Sequence, residues 1–167
     1  ARRCLMRTLL HSGAYAELWK VAWHGIDLAR TQKDSLEEAR FTRLLGASLL
    51  AQGKLNDART YLVAAEGILS RSGTSEERFW VQCDLVRTYL KQGHPELAAP
   101  ALEAAAAFLH DADRWSTRLR YADLEYQLAK TSGDWEGAVN LLQRIKDRSD
   151  STYTAILNLR SRYAMRA

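Results

Sequence analysis

Apolar residues along this chain recur at alternating steps of three and four, the spacing that lays them on one face of an α-helix. Leu45, Leu49 and Leu50 make one such stripe, and Leu55, Ala58, Leu62 and Ala65 make the next. A short polar break around Gly53 separates them. Glycines stand at 13, 53, 93 and 133, each 40 residues after the last. Only glycine enters the left-handed conformation at a helix end without steric cost, so each of the four reads as a cap between two helices. The pattern predicts helices over 1–12 and 15–30, 34–52 and 55–71, 75–92 and 96–111, 115–131 and 135–147, and a ninth from about 151.

The linkers between pairs carry their own signals. Ser35, Ser75 and Asp113 are the expected N-caps, Ser35 with Glu38 as a capping box. Pro95 suits a first helical position, whereas Pro100 has no amide to donate and predicts a late start or a kink nearby. Gly46 lies inside a helix, where glycine costs about 1 kcal/mol against alanine, so it implies close packing. It is expected to face Ala58 across the turn, and Ala98 and Ala138 hold the place of Ala58 one and two repeats on.

These positions resemble the tetratricopeptide repeat. Leu45, Gly46, Leu49, Gly53, Ala58, Leu62 and Ala65 fill every place of that family's pattern, and Leu85, Tyr89, Gly93, Ala98, Leu102 and Ala105 fill it again. The fourth repeat has "SGDWEGA", with Trp135 at the aromatic place of the family's turn; the first departs from the pattern, with Leu18 where alanine is usual. The period of 40 instead of the usual 34, without the closing proline, is similar to the arrays of large bacterial LuxR-type activators of the maltose-regulator kind. The resemblance implies an all-α, right-handed superhelix of antiparallel helix pairs, a solenoid of about nine helices over 1–167. Its repeats would cover about 1–32, 33–72, 73–112 and 113–150, with a partial one at 151–167. Both ends fall inside a repeat of this frame, so a longer solenoid is expected.

Composition changes this picture little. Hydrophobic residues at 47% and charged residues at 26% suit a globular domain, and no apolar run reaches the roughly 18–20 residues of a membrane span. "ARRCLMRTLL" shows no signal-peptide pattern, and two cysteines 79 residues apart form no framework, so a reducing, cytoplasmic setting is expected. Four scattered histidines offer no metal-ligand spacing, so neither metal nor cofactor is expected. Gly46 and Gly53 form no phosphate loop, since they fit neither GxxxxGK[ST] nor GxGxxG. Carboxylate pairs fall at linkers and helix starts, and no nucleophile stands with a base, so no catalytic residue is assigned and an enzyme is not expected.

The net charge of +4 matters only through its placement. The resemblance puts the first helix of each pair on a concave face, and the 40-residue frame places Arg3, Arg7, Arg43, Trp80, Arg87, Lys91 and Arg120 there. Arginine forks suit carboxylates, so this face is expected to bind a protein or peptide partner, one of acidic character. Three other readings stand beside it: a solvated, locally paired surface; a sensor module of a bacterial transcription regulator or signalling protein, acting on flanking domains; and self-association. The asparagines of the family's carboxylate clamp are missing, and the modest charge disfavours nucleic acid.

Overall fold

The computed structural model describes residues 2–109, 115–144 and 146. They form eight helices: α1 (Arg2–Ser12), α2 (Tyr15–Thr31), α3 (Ser35–Ala51), α4 (Leu55–Ser72), α5 (Ser75–Gln92), α6 (Pro95–Ala106), α7 (Trp115–Thr131) and α8 (135–144). No strand occurs among the described residues. The ninth helix expected from about 151, and Asp113 as a cap, lie outside them.

Gly13, Gly53, Gly93 and Gly133 all sit in the left-handed region, at φ of 73, 76, 78 and 79°. After each glycine the next residue's amide donates to a carbonyl five residues back: Ala14 to Leu9, Lys54 to Leu49, His94 to Tyr89 and Asp134 to Ala129, at 2.9–3.0 Å. That bond satisfies a carbonyl the helix leaves orphaned, and it turns the chain back on itself. Lys33 closes the α2–α3 turn in the same way with a side chain attached, at φ 56°.

Two caps sit one residue earlier than the sequence pattern suggests. Asp34, not Ser35, accepts from the Glu37 amide at 3.0 Å, and Thr74, not Ser75, forms a capping box with Glu77. In each pair the residue just outside the helix is the one whose side chain reaches back to the third amide. α6 begins at Pro95 and holds Pro100 inside it, so it does not start late; it ends at Ala106, before the expected 111.

Within a pair the helices run antiparallel. Ala39 near the start of α3 clusters with Leu69 near the end of α4, while Leu50 and Ala58 meet beside the turn. The core passes along the chain in overlapping triads. Met6, Leu18 and Phe41 join α1, α2 and α3; Ala39, Leu62 and Val81 join α3, α4 and α5; Phe79, Leu102 and Leu124 join α5, α6 and α7. A Cβ at Gly46 would stand 2.7 Å from Leu62 Cγ and 3.3 Å from the Ala58 carbonyl, so Gly46 is the close approach its sequence position implies. Gly25 is a second, which the pattern did not single out: a Cβ there would meet the Phe41 ring at 2.7–2.8 Å.

Odd-numbered helices also touch one another: α1 meets α3, α3 meets α5 and α5 meets α7. Among the described residues α2, α4 and α6 make no such neighbour contacts. Only side chains bridge α2 and α4, where Trp19 and Trp23 stand edge-on to Tyr61 at 6.2 and 6.4 Å between ring centres. One layer is therefore close-packed and the other splayed. The close-packed layer is where a cleft opens.

Candidate functional site

The cleft measures about 480 Å³ and is lined only by odd-numbered helices. Its apolar floor comes from Leu10 of α1 and from Leu44, Ala47, Leu50 and Ala51 of α3. Leu44 and Leu50 belong to the core at the same time, so the floor is fixed by packing. Trp80, Asp84 and Arg87 of α5, Arg43 of α3 and Arg120 of α7 form the polar wall.

Of the residues the sequence singles out, the structure brings Arg43, Trp80, Arg87 and Arg120 together here. Lys91 lies in the exposed last turn of α5 and does not line the cleft. Arg3 and Arg7 fall on α1, and their side chains lie outside the described residues.

Asp84 is the participant the sequence reading missed. Its Oδ2 accepts from Arg43 Nη1 at 2.6 Å, and both side chains are largely buried. Arg40, another cation of the first helices, is held by Glu37 and Glu77. Arg87 and Arg120 form no ion pair among the described residues. A half-solvated basic face thus resolves into two paired arginines and two available ones.

The charges bear on a buried thiol beneath them. Burial pushes the Cys83 thiol far up from its ordinary value and Asp84 adds to that, while Arg120, Arg43 and Arg87 pull the other way and lose. All three guanidiniums therefore act on one spot, but desolvation wins because Cys83 is only 1% exposed. Trp80 packs edge-on to Phe79 at 5.4 Å, and its indole Nε1 is shut off from solvent with no acceptor among the described residues.

Chemically, the cleft offers apolar area and two guanidinium forks without an ion pair among the described residues. Among the described residues no group of three or more histidine, cysteine or acidic side chains is placed to hold a metal ion, and no helix is long and apolar enough to cross a membrane. Neither family models, curated proteins nor solved structures match the chain. The class rests on this geometry alone: the described residues form adjacent pairs of helices and a mixed cationic and apolar cleft.

Proposed function

We propose that the chain is a binding module similar to tetratricopeptide repeats, a right-handed superhelix whose odd-numbered helices hold an acidic protein or peptide partner in the cleft. The carrying observation is that every residue lining the cleft belongs to an odd-numbered helix, with Arg87 and Arg120 free of ion pairs among the described residues. Close approach of successive odd-numbered helices, with α2, α4 and α6 standing farther from one another, supports curvature with the odd layer concave. A concave stack of this kind gives a partner extended contact with several repeats at once. Guanidinium groups at a partly desolvated wall recognise carboxylates more strongly than exposed ones do.

The test is partner capture on the immobilised chain at two salt concentrations. A discrete set of proteins is expected, weakened by salt and lost with Arg87→Glu plus Arg120→Glu. Arg59→Glu on the exposed surface of α4 should leave that set in place. Retention of the same set by the double variant overturns the proposal.

A second reading, the sensor module, draws support from the cleft volume of about 480 Å³. That lies within the range of roughly 300–1,000 Å³ typical of small-molecule sites.

A further inference from the structure

If the odd-numbered helices do hold an acidic partner, the make-up of the cleft also defines the segment that enters it. A groove working by charge alone would have no use for a rigid apolar floor, and an apolar pocket would not leave guanidiniums unpaired at its wall. Leu44 and Leu50 are packed into the core and cannot retreat, so they hold in place a floor whose accessible surface comes from Leu10, Ala47 and Ala51. The cationic side has a definite count. Arg43, Arg87 and Arg120 face one carboxylate, Asp84, which already takes Arg43. Two positive charges remain to be matched.

We infer that the cleft takes a peptide segment with one bulky apolar side chain on the floor and two carboxylates on the wall side of it, the nearer for Arg87 on α5 and the farther for Arg120 on α7. In an extended peptide, alternate residues share a face, so the acidic residues stand two and four positions from the apolar one, both in the same direction. Asp84 acts as a specificity-determining residue. It occupies Arg43 and repels a third negative charge, which tunes the cleft to a ligand charge of minus two rather than to any polyanion.

Calorimetric titration of the full chain with short capped peptides tests this. The probe is the tighter-binding of phenylalanine-serine-glutamate-serine-glutamate and its reverse sequence. Three controls replace phenylalanine by glycine, replace both glutamates by glutamine, or exchange glutamate with serine so that the acids move to the opposite face. Each control is expected to bind about tenfold or more weakly than the probe. With Arg87→Gln plus Arg120→Gln, the probe and its glutamine counterpart should bind alike, and circular dichroism should show the fold retained.

Equal binding of the glycine control overturns the inference while leaving an acidic groove standing. Equal binding of the exchanged isomer overturns the one-face arrangement. A free aromatic dicarboxylate that binds more tightly than the probe assigns the cleft to a small effector and overturns the peptide. If no acidic peptide binds at millimolar concentration and the Arg87/Arg120 charge reversal leaves captured partners unchanged, the inference and the binding-module reading fall together.

Discussion

Arg43 Nη1 lies 2.6 Å from Asp84 Oδ2, across the seam between α3 and α5, with the two side chains 15% and 10% exposed. The bond ties two odd-numbered helices together directly beside the cleft. It also gives the three clustered arginines their one internal counter-charge among the residues lining the cleft.

The two halves of this pair should not cost the same to remove. Arg43→Gln leaves Asp84 beside Arg87 and Arg120, whereas Asp84→Asn leaves three guanidiniums facing one another. Removing one partner of a fully buried pair costs about 3–5 kcal/mol, and a surface pair contributes about 0–1. For this largely buried pair, Asp84→Asn is expected to cost about 2–3 kcal/mol and Arg43→Gln about 1–2. Urea unfolding at low and high salt measures both. Salt should lessen the Asp84→Asn penalty by screening repulsion, and equal costs would mean that Asp84 is not the counter-ion of the cluster.

The all-helical arrangement in adjacent pairs was legible because four glycines carry a backbone requirement that no other residue meets as cheaply, and they recur at one interval. The cleft was legible in part. The same interval aligned Trp80 with Arg120 and placed Arg43 and Arg87 on neighbouring odd-numbered helices, but a scan for cations in register passes over their partners. Asp84 lies 41 residues after Arg43, and Glu77 lies 37 after Arg40. Pairing across packed helices follows side-chain reach as well as the repeat, so an acid just off the interval is the signal to look for. Gly25 escaped notice because no small partner marks it; what requires it is the flat ring of Phe41.

The glycines divide by what surrounds them, and alanine should separate them. Gly46→Ala forces a Cβ to 2.7 Å from Leu62 Cγ, and Gly25→Ala drives one into Phe41. Overpacking of this kind costs about 1–3 kcal/mol, against a helix gain of about 1, so both are expected to destabilise. Gly67 in α4 has nothing within 4 Å of its added Cβ and keeps only the gain, about 0.5–1 kcal/mol more stable. Lys33→Gly should also stabilise, because it relieves a positive φ in a side-chain-bearing residue. Urea midpoints rank the four; a stabilising Gly46→Ala would refute the close approach of α3 and α4.

Cys83 should be inert in the folded chain despite its three arginine neighbours. Thiolate is the reactive form, and burial holds the thiol protonated far above neutral pH. Alkylation at neutral pH, read by peptide mapping so that only Cys83 is followed, should be about 100-fold or more slower than in urea. Its rate should rise in variants destabilised away from the thiol, such as Gly46→Ala, because reaction proceeds through opening. Rapid modification of the intact fold would show that the cleft reaches the sulfur.

Glu125 on α7 gives the fold a pH dependence of known sign. Burial raises its pKa from the ordinary 4.5, and Arg144 on α8 offsets part of the rise. A carboxyl with a raised folded-state pKa keeps its proton where the unfolded chain has lost it. The native state then binds more protons, so this group's contribution to stability falls as pH rises from 4.5 through the folded value and stays low above it. Glu125→Gln removes the charge and should raise the melting temperature at neutral pH, with the gain shrinking as pH falls through the raised folded value towards 4.5 and lost below it. Arg144→Gln removes the offsetting charge, so in that background Glu125→Gln should bring a larger gain at neutral pH. Thermal melts of the four chains (unsubstituted, each single variant and the double variant) across this pH range measure both effects. A gain from Glu125→Gln that is the same in acid and at neutrality would assign the change to packing of the side chain and not to its ionisation.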